Sequence, residues 1–254
     1  MHANELFDMS GKTVILTGAS SGLGHRFART LSRAGASIVL AARREEKIRS
    51  LESELPKTIA VTCDVSVDAD CSRLVEAAIK EFGTVDVLVN NAGISDPKRV
   101  EAETVEDFRR VLDVNLVAPY TLSRLAGISM VESQRGGVIV NIASIFGLVG
   151  SGRMPQASYA ASKGAMVNLT RELAAQWARK GVRVNAIAPS FFPTEMTQGL
   201  MDNERGLEWV AKMTPMGRGG REHELDGALL FLASEASSYV TGITLPVDGG
   251  WTAV

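Results

Sequence analysis

The sequence has few cysteines, few histidines and almost no net charge. Its 254 residues include two cysteines and three histidines, and the formal net charge is -2 at pH 7. A low cysteine count predicts a reducing compartment and no disulfide framework, and the scattered histidines form no spacing that is typical of a metal site. Because proteins that bind nucleic acid usually carry a basic excess, we expect no nucleic-acid partner.

Long apolar runs are also missing. No stretch approaches the roughly 20 apolar residues that a membrane-spanning helix needs, so we expect no membrane partner. Glu5 and Asp8 precede the first apolar run, and a secretory signal peptide would not place acidic residues there. Together with the low cysteine content, these features predict a cytoplasmic protein.

What the sequence does contain is a regular alternation of apolar, β-branched runs with amphipathic segments. The runs predict strands, and the segments between them predict helices. The predicted strands lie at 13–17, 37–41, 58–62, 85–90, 137–143, 182–188 and 244–247. The predicted helices lie at 22–34, 45–54, 67–82, 104–126, 156–179 and 222–234.

The strands are nearly all apolar, which is typical of parallel strands that are buried on both faces. Repeated β-α-β units with right-handed crossovers build a doubly wound α/β sheet, the Rossmann fold, with helices on both faces. Hydrophobic residues make up 45 % of the chain, enough for a substantial core. Residues 1–254 are therefore predicted to form a single dinucleotide-binding and catalytic domain, with its ligands at the carboxyl ends of the strands.

The segment 190–216 interrupts the alternation. It follows a predicted strand and is rich in large apolar side chains, namely Phe191, Phe192, Met196, Met201, Trp209 and Met213. Its place at the carboxyl edge favours a lid over a substrate pocket. The alternative is a docked surface helix that buries these side chains in the core.

A glycine-rich loop follows the first predicted strand and opens the first predicted helix. Gly18 allows a tight turn, Gly22 lets the backbone approach a phosphate, and Gly24 lets helix and strand pack closely. The helix N-terminus directs N–H groups and a partial positive charge at a pyrophosphate. The loop therefore predicts a dinucleotide site, to which it would also contribute Ser20, Ser21 and Leu23.

The end of the second predicted strand indicates which dinucleotide is bound. NAD sites usually carry Asp or Glu there, whereas this chain has Ala42 followed by Arg43. A guanidinium opposite Ser20 and Ser21 suits a 2′-phosphate, so NADP is favoured over NAD. The alternative is that Arg43 and Arg44 only begin a solvated helix.

Two further strand ends are predicted to contact the cofactor. Asp64 and Val65 follow the third strand and would flank the adenine. Asn91, Ala92 and Gly93 follow the fourth strand, where they could satisfy backbone groups around the cofactor or only shape a turn.

Three polar side chains are predicted to meet at the same edge. Ser144 ends the fifth strand, and Tyr159 and Lys163 lie four residues apart on one face of the next helix. Tyr159 could give a proton to a substrate oxygen while Ser144 donates a hydrogen bond to it. A lysine ammonium nearby would lower the pKa of the tyrosine from about 10. Together with the glycine loop, the three residues predict a site that moves a proton and a hydride.

Pro119 predicts a kink in the helix at 104–126. Because proline has no N–H, the carbonyl of Asn115 loses its helical partner. That carbonyl could hold a water next to Lys163. The alternative is a harmless kink with Asn115 in solvent.

These motifs resemble the short-chain dehydrogenase/reductase family, over essentially the whole chain. The matching residues occur in the family's order and are Thr17, Gly18, Gly22, Gly24, Asn90, Asn91, Ala92, Gly93, Asn115, Ser144, Tyr159 and Lys163. The resemblance implies a catalytic tetrad of Asn115, Ser144, Tyr159 and Lys163. It also implies cofactor contacts from Asp64, Asn91, Pro189 and Thr194, with Thr194 at the nicotinamide amide.

The resemblance further implies an oxidoreductase that interconverts a ketone and a secondary alcohol with NADP(H). Ser190 stands where the family usually has glycine, so the entry to the lid is expected to differ. The loop 150–155 lengthens the spacing between Ser144 and Tyr159, and we expect it to reshape the substrate pocket.

The sequence says less about the substrate and about the oligomeric state. The candidate pocket residues favour an apolar ketone over a polyol, and they are Phe146, Leu148, Phe191, Phe192, Met196 and Trp209. Residues 6–12 are similar to gluconate dehydrogenases, so an NAD-dependent sugar-acid or hydroxy-compound dehydrogenase is an alternative, and 3-oxoacyl reductases are also similar. Outside this class, a non-catalytic nucleotide sensor and a lyase or isomerase are the alternatives. The resemblance implies a homotetramer or homodimer.

Overall fold

A computed structural model describes residues 3–254, with side chains from residue 5, and leaves Met1 and His2 outside the described residues. Seven strands form one sheet in the order β3-β2-β1-β4-β5-β6-β7, and each pair of neighbours is parallel. The strands are β1 Thr13–Thr17, β2 Ser37–Ala42, β3 Thr58–Thr62, β4 Val87–Asn90, β5 Gly137–Ile142, β6 Val182–Pro189 and β7 Thr244–Val247. The predicted doubly wound α/β sheet is confirmed.

The α-helices cover both faces of this sheet. They are α1 Ala3–Leu6, α2 Gly22–Arg33, α3 Glu45–Glu54, α4 Asp68–Phe82, α5 Val105–Leu112, α6 Ala118–Glu132, α7 Ala157–Trp177, α8 Gln198–Met201, α9 Glu204–Met213 and α10 Asp226–Ala233. The predicted helix at 222–234 is a short 3-10 turn, Glu222–Leu225, followed by α10. None of the helices in residues 3–254 is long and apolar enough to cross a bilayer.

Two apolar layers hold the helices to the sheet. In β1 the side chains alternate, so that Val14 and Leu16 join one layer while Ile15 joins the other. The first layer includes Phe27 of α2 and Leu229 of α10. The second layer is formed with α4, α6 and α7, through Leu74, Leu122, Met130 and Leu173. Burial on both faces explains why the strands are apolar throughout.

The strand order reverses at the centre of the sheet, between β1 and β4. The connection from β1 leads to β2 on one side, whereas β4 pairs with β1 on the other side. The connections therefore diverge above the carboxyl ends of β1 and β4 and leave a crevice there. In open α/β sheets this switch point is where ligands bind.

The predicted single helix at 104–126 is interrupted near its middle. Helices α5 and α6 are joined by a π-helical turn, Asp113–Val117, and Pro119 lies in the first turn of α6. A widened turn therefore stands where the kink was predicted, and the bend itself stays a prediction. The cause is the missing N–H of Pro119, which removes one bond of the regular ladder.

The segment 190–216 folds into α8 and α9 beside the carboxyl edge. Phe191 and Val210 are buried in a cluster with Phe146 and Trp251. In contrast, Met196 is 51 % exposed. The segment thus packs through its aromatic side, as a docked helix would, while Met196 lines the crevice. That the segment acts as a lid stays a prediction.

Candidate active site

The glycine-rich loop is shaped by close backbone contacts. Gly18 and Gly22 have positive φ angles of 68° and 52°, which side chains other than glycine rarely adopt. A Cβ atom on Gly24 would lie only 2.1 Å from the carbonyl oxygen of Gly18. The loop can therefore lie flat against the start of α2, and the helix N-terminus faces the crevice.

A cleft of about 710 Å³ runs along the carboxyl edge from this loop to α7. Its size falls within the usual range for small-molecule sites. All sixteen predicted cofactor contacts line it, from Gly18 to Thr194. Ser144, Tyr159 and Lys163 lie at one end, and the strand ends that carry Arg43, Asp64 and Val65 lie along the rest.

The side chain of Asn91 is hydrogen-bonded to the backbone at the start of the glycine loop. Its Nδ2 atom donates to the carbonyl oxygens of Thr17, at 2.8 Å, and Gly18, at 3.3 Å. The hydroxyl of Thr17 in turn accepts the N–H groups of Asn91 and Ala92, at 3.0 Å each. Of the two sequence-based interpretations, satisfaction of backbone groups around the cleft agrees with these bonds.

Ser144, Tyr159 and Lys163 lie at one end of the cleft, which we call the chemical end. Tyr159 and Ser144 are in contact there. The Ser144 hydroxyl is hydrogen-bonded to the Tyr159 phenol, and it also accepts the N–H of Phe146 at 3.2 Å. The phenol and the hydroxyl are thus presented together, from α7 and from the end of β5.

The pKa of Tyr159 does not shift in the direction expected from the sequence. Removal of the phenol from water raises its pKa above the ordinary value, and the hydrogen bond from Ser144 opposes this only in part. Lys163 lies over the tyrosine ring, with Nζ 5.7 Å from the ring centroid. Its ammonium donates instead to the carbonyl oxygen of Ile142, at 2.6 Å. The expected lowering of the tyrosine pKa is therefore wrong for this arrangement.

Lys163 itself is strongly affected by burial. Its side chain is 3 % exposed, and desolvation lowers its pKa from 10.5 to about 8. Lys163 can therefore gain or lose a proton close to neutral pH, which an exposed lysine does not do.

Asn115 is fully buried and does not line the cleft. Its Oδ1 atom accepts the N–H of Ile94 at 2.8 Å, and its Nδ2 atom donates to the carbonyl of Ile94 at 2.9 Å and to Ser162 Oγ at 3.1 Å. The alternative of a kink with Asn115 in solvent is therefore wrong. The side chain connects the π-helical turn, the loop after β4 and α7.

The adenosine end contains a residue that was not predicted from the sequence. Arg43 is largely exposed and approaches Asp64 at 4.0 Å. Arg44, not Arg43, contacts the glycine loop, because its guanidinium donates to Ser20 Oγ, at 3.0 and 3.1 Å, and to Ser21 Oγ, at 2.6 Å. The two consecutive arginines were the only signal in the sequence for this contact.

The side of the site next to the 190–216 segment is aromatic. The ring of Phe191 lies 6.0 Å from Phe146, 5.5 Å from Trp209 and 5.3 Å from Trp251, measured between centroids. Phe192 and Met196 line the cleft itself. Ser190 donates its N–H to the carbonyl of Val247 at 3.2 Å. Because Ser190 has no positive φ angle, the position does not require glycine.

Comparisons with known proteins agree with this architecture. A family model described as enoyl-(acyl carrier protein) reductase matches residues 18–252. The 3-oxoacyl-(acyl-carrier-protein) reductase of Rickettsia felis is 38 % identical over 246 residues, which is 96 % of this chain and 98 % of the relative. A short-chain type dehydrogenase/reductase from Mycobacterium marinum superposes with a TM-score of 0.94 at 34 % identity, covering 98 % of this chain and 99 % of that one. The chain belongs to the short-chain dehydrogenase/reductase family.

Another structure of this family was solved with ligands. It is a gluconate 5-dehydrogenase from Burkholderia cenocepacia, in complex with NADP and tartrate. The similarity extends over 100 % of both chains, with a TM-score of 0.92 and 36 % identity. The resemblance to short-chain dehydrogenase/reductases that the motifs indicated, including gluconate dehydrogenases and 3-oxoacyl reductases, is thus confirmed.

Proposed function

We propose that the protein is an NADP(H)-dependent oxidoreductase that interconverts a ketone and a secondary alcohol. The observation that carries this proposal is the meeting of Ser144, Tyr159 and Lys163 at one end of the cleft whose other walls are the glycine loop and the strand ends. A proton donor and a dinucleotide-shaped cleft together suit hydride transfer to a carbonyl.

The residues along the cleft fit a dinucleotide phosphate. The glycine loop and the start of α2 would hold the pyrophosphate, and Asp64 and Val65 would flank the adenine. Ala42 leaves the end of β2 without a carboxylate, while Arg43 and Arg44 line the cleft just beyond it. This set favours NADP over NAD, in agreement with the NADP held by the Burkholderia structure.

The side chains at the chemical end would have separate roles in the reaction. When bound, the cofactor supplies or accepts the hydride. In the direction of reduction, Tyr159 gives a proton to the substrate oxygen and Ser144 holds that oxygen by a hydrogen bond. Lys163 holds positive charge beside the tyrosine and would bind the ribose hydroxyls. Asn115 positions the loop after β4 through Ile94.

The walls of the cleft favour a substrate with an apolar group next to its carbonyl. Ile94, Phe192 and Met196 line the same cleft as Tyr159, and burying such surfaces against a ligand is favourable. A second candidate is a hydroxy acid, because Arg110 also lines the cleft and the Burkholderia relative is a gluconate 5-dehydrogenase. The Arg110 guanidinium is hydrogen-bonded to Asp96, so a substrate carboxylate would have to share it with that residue.

Replacement of the proposed acid tests the function directly. Tyr159→Phe removes the hydroxyl and keeps the ring, so turnover of ketones should fall by roughly 100-fold or more, while NADPH affinity stays within about twofold. Steady-state kinetics and calorimetry measure the two quantities. The matched control is Tyr239→Phe, at an exposed tyrosine that does not line the cleft.

The alternatives from other classes give different results in the same assays. Binding of NADPH without oxidation across a range of ketones would favour a nucleotide sensor. A product formed without any change at the nicotinamide absorbance band would favour a lyase or isomerase. Full turnover by Tyr159→Phe would remove the tyrosine as the acid.

We also propose that the chain assembles as a homotetramer or homodimer. The outward side of the π-turn and α6 carries Val117, Tyr120 and Ile128, which are 47 %, 48 % and 40 % exposed. These positions lie on one face of the helix. An apolar row of this kind is typical of surfaces that a second subunit covers.

A further inference from the structure

An ion pair joins two residues that line the cleft, Arg44 and Glu195. Glu195 lies in the 190–216 segment, and its carboxylate accepts from Arg44 through both oxygens, at 2.9 and 3.1 Å. The two residues are 151 positions apart in the chain. The pair therefore connects the segment beside the nicotinamide end to the strand end at the adenosine side.

The carboxylate occupies a site that is built for an anion. Arg44 donates both to this carboxylate and to the hydroxyls of Ser20 and Ser21, and we call these three side chains the anion cradle. Ser21 is also hydrogen-bonded to Glu195, and the contacts from Arg44 and Ser21 lower the pKa of this carboxyl. Glu195 is thus ionised at neutral pH and holds the cradle as a phosphate oxygen would.

We propose that Glu195 is a gate for the 2′-phosphate of the cofactor, because its carboxylate fills the anion cradle and has to leave before the phosphate can bind there. The inference rests on the proposed use of NADP(H). It assigns Glu195 a role in choosing between the two dinucleotides, in addition to the arginines that attract the phosphate.

The charges explain why the two anions exclude each other. A phosphate monoester carries about -1.5 to -2 charges at pH 7, whereas Arg44 supplies one positive charge, which Glu195 already neutralises. With both anions at the cradle, like charges would lie within a few ångströms of one another. NADH has no phosphate at this position, so it can bind while the ion pair stays intact.

The surroundings of Glu195 let it leave without unfolding. Its side chain is 58 % exposed and that of Arg44 is 47 % exposed, so the carboxylate can turn into solvent. The backbone around it is held independently, since Thr197 Oγ1 donates to the carbonyl of Phe192 at 2.5 Å and accepts the N–H of Thr194 at 3.0 Å. Only the side chain needs to move.

Cofactor binding to Glu195→Gln tests the gate. Glutamine keeps the size of the side chain and loses its charge, so NADPH should bind about two- to fivefold more tightly, the size expected for an exposed charge interaction. The affinity for NADH should stay within experimental error. Isothermal titration calorimetry measures both dissociation constants on the intact 254-residue chain. The matched control is Glu208→Gln, at an exposed acid on α9.

A second variant separates the gate from a general change of charge. Arg44→Gln should weaken NADPH binding, and in that background Glu195→Gln should no longer change NADPH affinity, because the cradle is lost. Equal changes for both cofactors, weaker NADPH binding by Glu195→Gln, or no change at all would overturn the gate. If the wild-type protein binds neither NADPH nor NADH, the proposed function fails as well, whereas binding of both with no effect at Glu195 removes the gate alone.

Discussion

Lys163 is a buried charge, and its folded environment alters its protonation. In water a lysine side chain has a pKa near 10.5, and here burial lowers the pKa to about 8. The contact of its ammonium with the Ile142 carbonyl offsets only part of the lost hydration. The residue therefore binds a proton less tightly in the folded protein than in the unfolded chain.

This shift predicts how stability depends on pH. Between about pH 8 and pH 10.5 the unfolded chain keeps the proton on Lys163 and the folded protein loses it, so the free energy of unfolding should rise with pH in this window. Lys163→Met lacks this contribution, and the stability of the wild type relative to it should therefore increase across the window. Urea denaturation at several pH values measures the difference, and Lys212→Met at an exposed lysine is the control. A constant difference would contradict the prediction.

Position 24 requires glycine because the backbone of Gly18 approaches it closely, and not because of its own backbone angles. Gly24→Ala would place a methyl group 2.1 Å from the Gly18 carbonyl oxygen and 2.6 Å from Asn91 Nδ2, so we expect a loss of about 1–3 kcal/mol in stability. Gly227→Ala is the matched control, because a Cβ atom there meets nothing within 4 Å. Thermal denaturation compares the two, and equal melting temperatures would show that the loop can shift freely.

At the scale of elements, buried side-chain amides join the helices to the sheet. Asn90 Nδ2 on β4 donates to Asn141 Oδ1 on β5 at 2.9 Å and to Ser123 Oγ on α6 at 3.0 Å. Asn141 Nδ2 donates to Thr170 Oγ1 on α7 at 3.0 Å. These bonds fix α6 and α7, and with them Tyr159, relative to the strand ends.

The π-helical turn has a similar joining role through Asn115. Asn115→Ala would remove three hydrogen bonds and leave the Ile94 N–H without its acceptor, so stability should fall by about 1–3 kcal/mol. Hydrogen exchange at the Ile94 amide should become faster, which a general loss of packing would not single out. Asn168→Ala, at an exposed position of α7, is the control and should be nearly neutral. Unchanged protection at Ile94 would contradict the role.

At the scale of the whole molecule, the exposed apolar row on α6 predicts the oligomeric state. Tyr120→Glu would place a charge in the centre of the row beside Val117, and its burial in an interface is unfavourable. We expect the wild type to sediment as a homodimer or homotetramer and the variant to dissociate at micromolar concentration. Lys212→Glu, an exposed change on α9, serves as the control. A monomeric wild type would remove the assembly proposal.

The sequence predicted the order of the elements well and individual side-chain contacts less well. Strand bounds agree within about two residues, because full burial requires apolar runs with clear ends. Arg44 was not assigned to the cofactor cleft, because which of two neighbouring arginines turns toward the glycine loop depends on how β2 ends. The pKa of Tyr159 was expected to fall, because proximity to a lysine is visible in the sequence and desolvation is not.

The amino-acid sequence by itself determined the alternation of strands and helices, the glycine loop and the spacing of Tyr159 and Lys163. These features depend on residues that are near one another in the chain. Hydrophobic periodicity and the backbone freedom of glycine are therefore enough to predict them. Only the tertiary structure decided that Glu195 meets Arg44, that Asn115 holds Ile94 and that Lys163 is buried against Ile142. Such contacts join segments that are far apart in the chain, and they form only where packing of the two layers brings those segments together.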